Sequence, residues 1–182
     1  MTLTAQAFWF LRHGETDWNA RGWSQGNVDI PLNPVGIAQA HAAAAALHDK
    51  GIRSVVSSPL SRAYNTALAV AEPLRLPVET DEGLREVSFG VQEGQPMADW
   101  FDDWVEGRFT PEGAEPFTAL QARGVAAVNR ALERPAPVLV VAHGALFRAI
   151  RAAMGLPANI RTPNAVPMLC HPGTPWTLMP AL

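Results

Sequence analysis

Two His-Gly pairs each follow a short apolar run. Arg12-His13-Gly14 ends the run Ala7-Phe8-Trp9-Phe10-Leu11, and His143-Gly144 ends Val138-Leu139-Val140-Val141-Ala142. Both runs read as buried strands feeding a glycine turn. A third run, Arg53 to Ser57, leads into Ser58-Pro59-Leu60-Ser61-Arg62, which sets Arg62 in the first turn of a helix. A cation there opposes the helix dipole, and an anionic ligand relieves it. In open α/β sheets, ligands bind beyond the carboxyl ends of the strands. Arg12, His13, Arg62 and His143 therefore converge on one sheet edge and make an anion pocket, with phosphate as its natural guest.

The elements that must carry these groups alternate along the chain. Gly36 to Lys50 is alanine-rich and helical, and Gly51 stops it. A second helix runs from Pro59 to about Glu72, and Leu76 to Thr80 is a weak strand. Asp81 to Gly113 is rich in Gly, acids and aromatics and holds one helix near Pro96 to Val105. Helices follow over Glu115 to Glu133 and Ala145 to Met154, flanking the strand Pro137 to Ala142. The tail carries Pro163, Pro167, Pro172 and Pro175 and suits edge strands and turns. Strands alternating with helices imply parallel βαβ units covered on both faces.

Composition narrows the function classes. At 182 residues the chain fits one domain, expected over 1–182, and 48% hydrophobic against 17% charged residues excludes a disordered chain. A net charge of −3 argues against nucleic-acid or membrane-surface binding, which needs a basic excess. Arg accounts for every basic residue except Lys50, which suits bidentate anion contacts and equally a coding bias. Cys170 is the single cysteine, so an internal disulfide and a cysteine zinc cage are excluded. No apolar run is long enough for a membrane span, and the start lacks signal-peptide features. A soluble, cytoplasmic protein is the expectation.

These residues resemble the histidine phosphatase superfamily, in its phosphoglycerate mutase-like branch. The resemblance rests on five blocks in order. They are Leu11-Arg12-His13-Gly14-Glu15-Thr16 with Trp18-Asn19; Gly26 to Leu32 with Gly36 and Gln39-Ala40; Ser57 to Ala63 with Thr66-Ala67; Leu84-Arg85-Glu86 with Phe89-Gly90 and Glu93-Gly94; and Val141 to Gly144. It implies a three-layer α/β/α sandwich with a mostly parallel central sheet, and residues 81–115 as a short lid. It also implies a histidine acid phosphatase-type phosphoric monoester hydrolase. By this resemblance His13 is the nucleophile that forms a phosphohistidine. Arg12, Arg62 and His143 hold the non-bridging oxygens, Asn19 adds a neutral donor, and Glu86 is the general acid and then base. The arginines stand in for a metal, so neither metal nor cofactor is expected. The partner is a small-molecule phosphate ester, with no nucleic acid and no membrane. A homodimer stays open, through an apolar edge strand near Val166 to Cys170.

Two alternatives stand beside the phosphomonoesterase reading: a phosphoglycerate-type phosphomutase, and a non-catalytic phospho-ligand binding module. A mutase needs basic residues to close over a second phosphate. Between Phe89 and Glu115 only Arg108 is basic, against Glu93, Asp99, Asp102, Asp103, Glu106 and Glu112. That favours water as the acceptor. Asn33 stands where the family usually has Thr and suits a helix cap, and Ala145 replaces a second glycine after His143-Gly144. The remaining histidines, His41, His48 and His171, read as solvated or structural. Glu93 and Glu115 read as partners of backbone amides.

Overall fold

The aromatic run near the start forms β1 (Phe8–Arg12), and all five residues are buried. The structure is a computed structural model that describes residues 2–181. After β1 come α1 (Asp17–Arg21), α2 (Pro34–Leu47), β2 (Ser54–Ser57), α3 (Ser61–Leu74) and β3 (Val78–Thr80). Two 3₁₀ turns, Glu82–Leu84 and Gly90–Gln92, precede α4 (Trp100–Val105) and α5 (Phe117–Ala131). The chain closes with β4 (Val138–Ala142), α6 (Gly144–Ala153), β5 (Met168–His171) and β6 (Thr177–Pro180).

The sheet order is β3-β2-β4-β1-β5-β6. The first four strands in that order are parallel, and β5 and β6 are antiparallel additions. Side chains alternate across the sheet. Phe8, Phe10, Val138, Val140 and Ala142 pack with α5 and α6, whereas Trp9, Leu11, Leu139 and Val141 pack with α2 and α3. The result is the expected three-layer α/β/α arrangement around a mostly parallel sheet.

Register places the site. Arg12 pairs with Ala142, and Ser57 with Val141, so β1, β4 and β2 end level with one another. The ladder runs one residue further: the His13 amide donates to the Ala142 carbonyl and the Ser58 amide to the Val141 carbonyl, both at 3.0 Å. His13, Ser58 and His143 are thereby neighbours, although the sequence separates them widely.

The loop after β1 is pinned by close backbone packing. A Cβ on Gly14 would lie 2.3 Å from the Gly36 carbonyl oxygen, and one on Gly36 would lie 2.0 Å from the Glu15 carbonyl oxygen. Asn33 caps α2 as expected, its Oδ1 accepting from the Gly36 amide at 2.8 Å. One expectation is corrected. The stretch near Val166 to Cys170 is not an edge, because β5 pairs with β1 on one side and β6 on the other. It has no free edge through which to join a second copy.

Candidate active site

A cavity of about 790 Å³ opens at the carboxyl end of the sheet and is lined by Arg12, His13, Asn19 and Glu86, among others. Arg62 and His143 lie directly behind this floor, each with no exposed surface. The His13 and His143 rings are 5.2 Å apart. All the residues expected to act together are therefore brought to one place, with Arg62 and His143 deeper than the rest.

His13 is oriented from behind. Its Nδ1 donates to the Gly14 carbonyl at 2.6 Å, which fixes the hydrogen there and leaves the Nε2 lone pair free. Burial, then the charges of Arg62 and Arg12, hold its pKa well below the usual histidine value. The imidazole is neutral at neutral pH, the state a nucleophile needs. The Gly14 amide donates to Thr66 Oγ1 at 3.0 Å, and Thr66 donates to the Arg62 carbonyl at 2.7 Å. One hydroxyl thus ties the His13 loop to the helix that carries Arg62.

His143 is fixed by Ser58. Its Nε2 lies 2.7 Å from Ser58 Oγ, which also accepts from the Leu60 amide at 3.3 Å. Ser58 can donate to Nε2 or accept from it, so this contact fixes the ring's orientation for either tautomer. Nδ1 is buried without a protein partner, as is Nε of Arg12 and of Arg62. Buried polar groups are rarely left so; the two guanidinium nitrogens are donors an anion can satisfy, and Nδ1 becomes one in the protonated ring. Burial and then Arg62 hold the His143 pKa well below the usual value.

Both guanidiniums are partly used by the scaffold. Arg62 donates to the Val28 and Gly26 carbonyls at 2.8 Å each, and Arg12 to the Thr162 carbonyl at 2.6 Å. Burial lowers each to a pKa of about 10, so both stay charged at neutral pH. Gly144 packs closely on Arg12: a Cβ there would sit 3.2 Å from Nε, so the guanidinium would have to give by a few tenths of an ångström.

Glu86 reaches the start of α6. Oε1 accepts from the Val87 and Leu146 amides at 3.0 and 2.9 Å, and Oε2 accepts from the Ala145 amide at 3.0 Å. Arg123 steadies its loop by donating to the Gly83 and Arg85 carbonyls at 2.9 Å while paired with Glu115. Asn19 sits at N3 of α1 in a capping box with Thr16. Its Oδ1 accepts from the Thr16 and Asn164 groups at 3.2 Å, which leaves its NH₂ for the cavity.

The other sequence expectations sort cleanly. His41, His48 and His171 are exposed and away from the cavity. Glu93 accepts from the Asn27 and Phe89 amides, as expected of a backbone partner. Glu115 instead pairs with Arg123. Several site residues were not read from the sequence. Ser58 and Thr66 lie inside blocks that were read, and the i, i+4 spacing of Arg62 and Thr66 was a usable signal. Asn164, which donates to the His13 carbonyl at 2.9 Å, and Arg148 and Arg161 on the cavity wall, had none.

Among the described residues, no helix is long and apolar enough to cross a membrane. Comparison with known proteins agrees with the geometry. The chain is 40% identical over 164 residues to "Probable phosphoglycerate mutase GpmB" of Yersinia pestis (strain Pestoides F), covering 83% of this chain and 76% of that one. It superposes on a mycobacterial glucosyl-3-phosphoglycerate phosphatase complexed with VO3 with TM-score 0.84, 32% identity and coverage of 97% and 98% of the two chains. The alpha-ribazole phosphatase of Shigella flexneri gives TM-score 0.80, 28% identity and coverage of 97% and 96%. The family model for the histidine phosphatase superfamily (branch 1) matches residues 8–168, and the chain belongs to that superfamily.

Proposed function

We propose that this protein hydrolyses small phosphate monoesters through a phosphohistidine on His13. The observation that carries the reading is the His13 ring itself. It is anchored through Nδ1, kept neutral by burial, and set beside two buried guanidiniums with unused donors. In this reading Nε2 attacks phosphorus in line as the ester oxygen leaves. Arg12, Arg62, His143 and the Asn19 amide hold the non-bridging oxygens and stabilise the charge that builds on them. A bound dianion opposes the two effects that keep His143 neutral, so His143 takes up a proton as the ester binds. Glu86 gives a proton to the leaving oxygen, then takes one from the water that cleaves the phosphohistidine.

Residues 81–115 act as a short lid in this account, since Phe89, Met97, Ala98, Phe101 and Asp102 face the cavity. Because the His13 pKa is lowered, its neutral form persists into mildly acidic solution, which supports an acid-phosphatase type of profile. The names of the similar phosphatases support a small phosphorylated metabolite as the ester. A mutase reading is favoured by the name of the Yersinia relatives. Against it, Arg108 pairs with Asp103 and Glu106 and does not line the cavity. The experiment is a panel of phosphate esters with and without EDTA, scored for inorganic phosphate and for isomerised ester. Free phosphate that is unchanged by EDTA and lost in His13→Ala supports the reading. Isomer without free phosphate, or loss of activity with EDTA, overturns it.

A further inference from the structure

The cavity wall carries arginines that the proposed chemistry does not use. Arg148 stands on α6 one turn after Gly144 and Ala145, the segment that binds the Glu86 carboxylate. Arg161 also lines the cavity, and it is exposed. Neither belongs to an ion pair among the described residues. Each acid of the cavity wall accepts from a donor other than these two arginines. Glu15 accepts from Asn33, Glu86 accepts from backbone amides, and Asp102 accepts from Asn159 Nδ2 at 2.6 Å.

Arg148 is nevertheless held in place. Nη1 donates to Asn159 Oδ1 at 2.8 Å, and the guanidinium lies 4.5 Å above the Phe101 ring. Asp102 reaches it only through Asn159, as an orienting contact and not as a counter-ion. Four of its five N–H groups stay unused. Burial lowers the Arg148 pKa; the carboxylates of Glu86 and then Asp102 raise it in part, and the like charge of Arg161 adds a smaller lowering. The Arg161 side chain makes no hydrogen bond among the described residues. Two arginines lining one cavity, with spare donors and no salt-bridge partner among the described residues, are stabilised by an anion placed between them. A cavity of about 790 Å³ also has room for a leaving group well beyond a bare phosphate.

We propose that Arg148 and Arg161 form a second anion subsite, so that the preferred ester carries a carboxylate or a second phosphate on its leaving group. The subsite lies about one helical turn, ~5 Å, along α6 from the Glu86 contact. It rests on the phosphatase reading for its substrate, and it names what that reading leaves open. The sequence offered no such site because the basic residues come from α6 and the loop after it, not from the acidic lid.

The test uses three esters on one carbon frame: glycerol 3-phosphate, 3-phosphoglycerate and glycerol 1,3-bisphosphate. In the full-length protein, kcat/KM for at least one of the two doubly anionic esters should exceed that for glycerol 3-phosphate by about tenfold, the effect of one charge-assisted contact. Which of them gains identifies the source, carboxylate or phosphate. In Arg148→Met and in Arg161→Gln the preferred doubly anionic ester should lose about tenfold more than glycerol 3-phosphate. Arg161 is exposed, so its variant folds even if Arg148→Met does not. The same preference should appear in calorimetric affinities measured with the His13→Ala protein. Parity among the esters, or a preference that survives both variants, overturns the subsite. Binding with this preference but without turnover of any ester, p-nitrophenyl phosphate included, overturns the phosphatase reading and leaves the subsite standing.

Discussion

Glu86→Gln separates two roles that one carboxylate holds here. Both oxygens are used by the scaffold, Oε1 by the Val87 and Leu146 amides and Oε2 by the Ala145 amide. A glutamine must turn its NH₂ toward one of these donors. One buried N–H then loses its acceptor and meets another donor, at a cost of about 1–3 kcal/mol. For a chain of this length that is about 2–4 °C of melting temperature per kcal/mol. The chemical loss is separate. Removing a general acid lowers the rate by about 10²–10⁴-fold, and it does so unequally. An alkyl phosphate leaves as a poor alkoxide and needs the proton, whereas nitrophenolate leaves well without it. The assay is kcat/KM, which reads the step in which the leaving group departs, for glycerol 3-phosphate and for p-nitrophenyl phosphate, alongside a urea melt. The expected result is a modest fall in stability, a large fall in kcat/KM for the alkyl ester and a much smaller one for the aryl ester. Equal losses on both esters would refute the acid role and leave Glu86 as a fastener of α6.

Three further outcomes follow from the contacts. Gly36→Ala puts a Cβ 2.0 Å from the Glu15 carbonyl oxygen, so the loop bearing His13 must shift; a urea melt should show about 1–3 kcal/mol of destabilisation, and activity should fall with it. Arg123→Ala frees the Gly83–Glu86 loop from its carbonyl contacts; turnover should fall more than KM rises, and Arg123→Lys should restore part of it. The pH dependence of stability has a definite sign. His13 and His143 are kept neutral in the folded chain but titrate near pH 6.5 when unfolded, so the unfolded chain binds more protons as pH falls. Stability without ligand should therefore drop by about 1.4 kcal/mol per histidine between pH 7.5 and 5.5, and the drop should shrink in His13→Gln.

Much of this site was legible in the sequence. The apolar runs before His13 and His143 had to be strands, and parallel strands had to end together. Asn33 declared itself as a cap, and the acid lid had the composition of a solvated segment. What stayed hidden depends on tertiary packing. The Thr16–Asn19 capping box makes α1, a helix of five residues too short for any periodicity to reveal. The tail was read as edge strands and turns, yet β5 is interior because β6 folds back on it. Ser58 gained its meaning only when the β2–β4 register set it beside His143. Arg148 and Arg161 are ordinary arginines until α6 and the Asn159–Thr162 segment turn them to the cavity.

The account stands or falls on covalent transfer to His13. Rapid mixing with a ³²P-labelled aryl phosphate and an alkaline quench should trap a phosphoprotein that is stable in alkali and labile in acid. The label should map to His13 and vanish in His13→Ala. A protein that hydrolyses the ester with no trapped phosphate, or with trapping that survives His13→Ala, contradicts the account.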